Sequence, residues 1–471
     1  MTVKLKPYPA TTDSGVSWLG EIPKQWDCKH GFIAYREKQE KNIGLIENTV
    51  LSLSYGRIVI KPAEKLHGLV PESFETYQIV NPGDIIIRPT DLQNDWNSLR
   101  VGLAQNRGII TSAYLCLRTT DVMSPEYGYY LLHAYDLKKI FYGMGSGLRQ
   151  NLSFEDFKRM PVPIPTKDEQ AAIVRFLKHA HRQCEHYIRA KKKLIGLLNE
   201  QKQGIIHKAV TRGLNPDVKL KHSGIEWLGD IPAHWNIKRL KYIAKITPSK
   251  SELHKLQGDT SVTFLPMDRI GVWGQIDTSE QVKLADVKSG FTYMCNGDVI
   301  VAKITPCFEN GKGALCSNLP TGIAFASTEF HVFRPRNGFS GKYLYYLTRN
   351  QVVRKLGEET MRGSAGQQRV PIEFFSNLYI PVPEIAEQVK ISDYIEKQIN
   401  RFDFIQDHIA REIKLIREYR TSLIADVVTG KLDVRKAVAN LPNEPIEQPE
   451  QCDSDPIGNE PAEAITEEAI A

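Results

Sequence analysis

One stretch of this chain is written twice. Gly15 to Trp26 reads GVSWLGEIPKQW, and Gly224 to Trp235 reads GIEWLGDIPAHW, at an offset of 209 residues. A fixed internal offset fixes architecture before any secondary structure is assigned. Further on, Gly83-Asp84-Ile85-Ile86-Ile87 answers to Gly297-Asp298-Val299-Ile300-Val301 at offset 214, a turn feeding a β-branched apolar run that reads as a buried strand. Pro163 and Pro165 match Pro381 and Pro383, and Glu169-Gln170 matches Glu387-Gln388, both at offset 218, so the second copy has gained nine residues in its globular part. Tyr35 to Asn81 and Lys245 to Asn296 hardly resemble each other. One scaffold thus carries two different surfaces, as expected of a reader of an asymmetric two-part target.

Each copy ends in a helical pattern of about 44 residues, near 65 Å long at 1.5 Å per residue. The first follows Pro165 with a capping box, Thr166 to Glu169, and stops before Gly213; the second follows Pro383, lacks the Ser/Thr cap, and stops before Gly430. Alternate steps of four and three from Ile173 give Leu177, Ala180, Cys184, Tyr187, Lys191, Leu194, Leu198, Gln201 and Ile205. The matching positions in the second helix are Ile391, Ile395, Gln398, Phe402, Ile405, Ile409, Glu412, Ile416, Tyr419 and Leu423. This is a coiled-coil spacing interrupted at Lys191 and Glu412. A small α+β domain cannot cover so long a seam, so the expectation is an antiparallel helix pair with the globular units at opposite ends.

The formal net charge of +6 conceals an asymmetry, because nine acids and no basic residue follow Lys436. Without that stretch the chain carries +15, which favours a polyanionic partner. The stretch itself, rich in Pro, Glu and Ala, reads as disordered. Seven cysteines (Cys28, Cys116, Cys184, Cys295, Cys307, Cys316, Cys452) form no Cys-x-x-Cys pair and support neither a disulfide framework nor a metal site. No run approaches the ~18 apolar residues of a membrane span, and no signal-peptide core opens the chain, so the expected setting is cytoplasmic with no membrane partner.

No catalytic centre is legible. Phe141 to Gly147 is glycine-rich but fails the Gly-x-Gly-x-x-Gly spacing at Leu148. There is no phosphate-loop motif and no Asn/Asp-Pro-Pro-aromatic segment of adenine methyltransferases. Glu412-Ile-Lys414 imitates a nuclease Glu-x-Lys, but residues two apart on a helix point in different directions. A standalone DNA-modifying enzyme would need a cofactor site not found here. A coiled-coil scaffold unrelated to DNA would explain the helices but not two divergent domains on a basic body.

The ordered set of motifs resembles the specificity subunit of type I restriction-modification systems, over about residues 13 to 435. The resemblance implies an α+β chain: two repeated globular target-recognition domains separated by a long antiparallel two-helix coiled coil. The corresponding division is 1–165 (first domain), 166–212 (central helix), 213–383 (second domain), 384–435 (C-terminal helix) and 436–471 (acidic tail). It further implies that the domains read the two halves of a split site on double-stranded DNA, with the helices setting the gap. The implied partners are two modification (methyltransferase) subunits and restriction (translocase-nuclease) subunits. S-adenosylmethionine, ATP and Mg would serve those partners, and this chain would bind no cofactor.

Base reading requires side chains with paired donors or acceptors, whereas phosphates are met by Lys, Arg and small polar groups. Two corresponding loops qualify: one carries Ser146, Arg149, Gln150 and Asn151, the other Ser364, Gln367, Gln368 and Arg369, with glycines for close backbone approach. Arg149 and Arg369 are the preferred base contacts, although a purely structural loop would also use Gly and Ser. A second surface follows the Gly-Asp strand: Arg88, Thr90, Asn94, Asn97 and Arg100 in copy one, and Lys303, Thr305, Asn310 and Lys312 in copy two. Solvated polarity would explain those residues as well as DNA does. Trp18, Trp26, Trp227 and Trp235 recur where the targets should differ, and duplex DNA offers no free base faces, so they read as packing.

Overall fold

The structure, a computed structural model, describes residues 5–62, 73–144, 151–254, 256–364 and 366–442. It divides into two compact units, Met1–Arg189 with Glu412–Ala471, and Ala190–Arg411. The division runs through both long helices, Lys167–Arg212 and Ile385–Val428, instead of falling at their ends. Packing explains this. In the first unit Ile173 and Leu177 of one helix and Leu423, Ile424, Val427 and Val428 of the other share a core with Leu131, Tyr135 and Phe157. In the second, Ile206, Ala209, Val210, Ile391, Ile395 and Ile399 do so with Trp235, Tyr343 and Phe375. Each unit is therefore one α+β domain seated on the start of one helix and the end of the other, which run antiparallel within it.

The domains repeat one plan. The first holds a four-stranded antiparallel sheet in the order Tyr35–Glu37, Leu115–Thr119, Ile85–Ile87, Val101–Leu103. The second holds Ala244–Ile246, Phe330–Pro335, Val299–Ala302, Gly313–Leu315. Each sheet is packed by a following helix, Pro125–Leu137 or Gly341–Arg349, whose Ser cap accepts the N–H of Tyr127 or Tyr343. The divergent segments differ in kind. Two separate two-stranded pairs, one a hairpin, stand in the first domain where the second builds another four-stranded sheet, Gln281–Lys283, Ser261–Leu265, Ile323–Ala326 and Thr292–Cys295.

The repeated motifs prove to be joints. Glu169 and Glu387, in the first turn of each long helix, accept the indole N–H of Trp26 and Trp235 at 3.2 and 3.0 Å. Thr166 Oγ1 accepts the Glu169 N–H as a cap should, while the Glu169 carboxylate turns to Trp26, Gln25 and the Thr166 hydroxyl. Gln170 and Gln388 each accept a backbone N–H from the Ser cap of the domain helix (2.8 Å) and donate to the carbonyl of Pro165 or Pro383 (2.9 Å). The Gly-Asp signature holds a buried carboxylate under an arginine that reaches in from the surface: Arg118 on Asp84 at 2.9 Å, and Arg334 on Asp298 at 2.7 and 2.8 Å. The tryptophans pack as expected, Trp26 and Trp235 being buried and Trp18 lying edge-on to Tyr135 at 4.8 Å.

Three expectations need correction. The helix seam follows 3.6 rather than 3.5 residues per turn. Ile173, Leu177, Ile188, Leu198, Lys202, Ile206 and Ala209 are buried, while Tyr187 and Leu194 are 44% and 39% exposed. In the second helix Ile413 is buried where Glu412 was placed, and Tyr419 is exposed. A strict heptad drifts ~20° per repeat from a straight helix, so two repeats on, at Tyr187, it points ~40° away from the face of Ile173. Second, the C-terminal helix ends at Val428, before Gly430 as its sequence signals, so the division drawn at 435 runs past its end. Gly430 closes it at φ +77°, with a Cβ position only 2.2 Å from Pro23. Third, residues just after Lys436 are ordered: a short helix, Arg435–Ala439, buries Ala437 and packs Val438 into the first unit's core, and Arg175 donates to the carbonyls of Leu441 and Pro442. Most of the acidic stretch, 443–471, lies outside the described residues.

Replacing Arg334 with Met leaves the fully buried Asp298 carboxylate without its cation. The expected cost is about 3 kcal/mol, the lower end for breaking one side of a buried pair, read from urea unfolding. A midpoint unchanged from wild type would show that the pair contributes nothing.

Candidate nucleic-acid interface

The two surfaces singled out in each copy meet. In the second unit the chain leaves the strand Val299–Ala302 at Lys303 and runs antiparallel to the segment at Arg369. The Val370 N–H bonds the Lys303 carbonyl at 2.8 Å, the Thr305 N–H bonds the Gln368 carbonyl at 2.9 Å, and Thr305 Oγ1 accepts the Gln368 N–H at 3.1 Å. Lys303, Thr305, Gln368 and Arg369 thus form one ridge beside exposed Ser364, Gln367 and Asn310. In the first unit the Leu152 N–H bonds the Pro89 carbonyl at 2.9 Å and Asn151 Oδ1 accepts the Asp91 N–H at 3.2 Å. Arg88, Thr90, Asn94, Asn97 and Asn151 are gathered there, with Asn94 donating to Asp91 at 2.8 Å and Arg88 paired to Asp95. Ser146, Arg149 and Gln150 lie outside the described residues.

The backbone match is positional: Leu152 with Pro89 repeats Val370 with Lys303 at offsets 218 and 214. Asn151 and Arg369 therefore occupy one scaffold position with two different side chains. Framework carries the backbone, and the side chain is free to differ.

Two candidates have structural roles instead. Arg100 is fully buried, and its guanidinium donates to the carbonyls of Thr90 (2.6 Å), Asp91 (3.0 Å) and Asp95 (2.8 Å) and to the Tyr142 hydroxyl (3.0 Å). It cannot reach DNA; it holds the loop that carries Asn94 and Asn97. Lys312 is half-buried, with its ammonium on the Met267 carbonyl at 2.9 Å. The reason is common to both: a loop that exposes side chains leaves carbonyls turned inward, and buried acceptors need donors. In the second unit Arg349, on the domain helix, serves the loop through Gly311 O at 2.6 Å and also binds Val272 O. Its guanidinium lies 4.3 Å from the Trp273 ring, which Lys202 of the first long helix meets at 4.5 Å. Lys202 is itself paired with Asp403 and bonded to Gln406 at 2.6 Å, so this loop is tied to the helices. Nothing in the sequence marks Arg349 or Trp273, since neither lies in a repeated motif.

Glu329 and His331 were also not foreseen. The Glu329 carboxylate takes a forked ion pair from Arg369 at 2.8 to 3.1 Å, and those hydrogen bonds hold it below the usual carboxylate range. His331 is buried and bonds the Val370 carbonyl at 2.9 Å, next to Arg369. Burial pushes its imidazole below the ordinary range, against that hydrogen bond. The folded protein thus keeps His331 neutral at pH values where the unfolded chain, titrating near ~6.5, takes up a proton. Stability is present above that value and lost as pH falls from it toward the lowered folded one. The urea midpoint should drop between pH 7 and pH 5, and His331→Gln should flatten part of the drop. Identical slopes in both proteins would remove His331 from the account.

Among the described residues no group of three or more His, Cys, Asp or Glu is placed to hold a metal ion, and no helix is long and apolar enough to cross a membrane.

Comparison with known proteins bears on this geometry. The type I restriction enzyme EcoAI specificity subunit of Escherichia coli is 40% identical over 166 residues, 34% of this chain and 27% of that protein. The EcoEI specificity subunit of Escherichia coli is 31% identical over 204 residues, 43% and 34% of the two chains. The matched segments span about a third or less of those relatives. A chain from a solved structure described as "Structural basis underlying complex assembly and conformational transition of the type I R-M system" superposes with a TM-score of 0.62 at 14% identity, covering 87% of this chain and 99% of its own, and so shares the fold. A family model described as type I restriction modification DNA specificity domain matches residues 105–195 and 232–415, more than half of the sequence, and the chain belongs to that family.

Proposed function

We propose that this chain is the DNA-reading subunit of a type I restriction-modification enzyme, selecting a bipartite, asymmetric site and directing methylation and cleavage that its partners perform. One observation carries the reading: a single scaffold position holds Asn151 in one domain and Arg369 in the other, on equivalent backbone pairings. Paired donors and acceptors of different kinds are what two unlike half-sites require. The basic body supplies sequence-independent attraction to phosphate. Family membership supports a non-catalytic role. Methyl transfer from S-adenosylmethionine and cleavage dependent on ATP and Mg belong to modification and restriction subunits.

Two copies of the modification subunit fit the repeat. Leu197 and Leu415 lie 218 residues apart on the long helices and are both exposed, at 47% and 62%. Each unit thereby offers an apolar side chain at an equivalent place, as two identical partners on a repeated scaffold require. Leu197→Asp should remove one modification subunit from the complex, and Leu197→Asp with Leu415→Asp both, as weighed by native mass spectrometry. A two-to-one complex retained in the double variant would refute this docking.

The reading itself is tested by mixing purified chain with a modification subunit and mapping methylated adenines. Expected are no methyl transfer by the chain alone and, for the complex, a motif of two half-sites around an unread gap. Transfer by the isolated chain, or methylation without sequence preference, would overturn it.

A further inference from the structure

The side chain of Arg369 is 43% exposed, that of Glu329 23%, and both sit on the ridge beside Lys303 and Thr305. A guanidinium has five N–H donors in a fixed fork. In Arg369, Nε donates to both Glu329 oxygens (3.1 and 3.0 Å), Nη2 donates to Oε1 (2.8 Å), and Nη1 donates to the Gln367 carbonyl (3.0 Å). Three of the five N–H groups are thereby placed, and one remains on each Nη. The side-on edge of the fork belongs to Glu329, and the two N–H groups left over sit one on each of the two nitrogens that make the end-on edge.

We infer that Glu329 is a positioning residue which sets Arg369 to read guanine in the second half-site. The inference deepens the DNA-reading function proposed above and rests on it. Two parallel donors on neighbouring nitrogens match two acceptors on one edge, and among the base edges of the major groove guanine alone offers such a pair, N7 with O6. A free arginine would meet phosphates as readily, because charge attracts it to any polyanion. The Glu329 carboxylate weakens that option in two ways: it offsets the charge of the guanidinium toward distant phosphates, and it fixes the plane so that only a ligand approaching end-on finds both donors. The carbonyl of Glu329 is tied to the Lys303 N–H at 2.9 Å, and its own N–H to Ser327 Oγ at 3.2 Å. The carboxylate is thus carried by backbone that does not depend on the ion pair.

The test uses the complex with the modification subunit, its mapped site, duplexes bearing each single base-pair change in the second half-site, and a random duplex. Arg369→Ala should cut discrimination at one G·C pair by ~5- to ~150-fold, the equivalent of a bidentate contact. Glu329→Ala should lower discrimination at the same pair, and by less. It should also raise affinity for the random duplex, because a negative charge has been removed. The double variant should discriminate no worse than Arg369→Ala alone. A folding defect lowers both affinities together, so a fall in both for Glu329→Ala shows a merely structural residue and overturns the inference. Equal loss on every duplex for Arg369→Ala shows a phosphate contact and overturns it too. A wild-type complex without any site preference defeats the functional reading itself, which separates that failure from this one.

Discussion

Everything in this chain is built on a carboxylate at the beginning of a helix. Glu169 and Glu387 stand in the first turns of the two long helices, where unpaired backbone N–H groups favour negative charge. Each accepts an indole N–H from a tryptophan that opens its domain. A buried indole needs an acceptor, and a carboxylate withdrawn from water needs donors, so each satisfies the other where domain meets helix. The neighbouring glutamine fixes the domain helix to the same point. Tyr127 and Tyr343 then close the joint from the far side, donating to the carbonyls of Val428 and Val210 near the end of the opposite helix. In each unit three chain segments distant in sequence are held by side chains that the repeat preserves.

The same logic extends along the helices. Glu185 with Arg420 in the first unit and Asp403 with Lys202 in the second are the same ion pair with the helices exchanged, each residue 218 from its counterpart. Charges in a largely apolar seam add little net stability, but they disfavour shifted alignments in which a charge would be buried alone. A helix pair shared between two domains needs one register more than it needs extra stability.

The duplication made the architecture legible before any coordinates, because every framework residue could be read twice. Trp26, the Gly-Asp turn and the Glu-Gln pair were visible as motifs, although their partners were not. A 3.5-residue rule and a straight helix part by ~20° per repeat, so a strict heptad from Ile173 selects Tyr187 where Ile188 is the buried residue. Arg100 was misread for a different reason. Its neighbours in sequence are polar and exposed, and an arginine among them looks like one more surface cation until the carbonyls it serves can be seen. Glu329 was invisible because it lies 40 residues from Arg369 and acts only through it.

The two copies also show how a reading surface can change without loss of the fold. At the framework, equivalent positions perform equivalent tasks. Behind the loops they do not: Arg100 supports one from an adjoining strand region, Arg349 the other from the domain helix, and these are not matched in the repeat. A loop with a new outward face has a new set of inward carbonyls, and the donors that satisfy them must change with it. Grafting exposed residues alone from one domain to the other would strand those carbonyls. The unit that can be exchanged is therefore the loop together with its buried guanidinium, and in the second unit with the Trp273 ring that ties that guanidinium to Lys202.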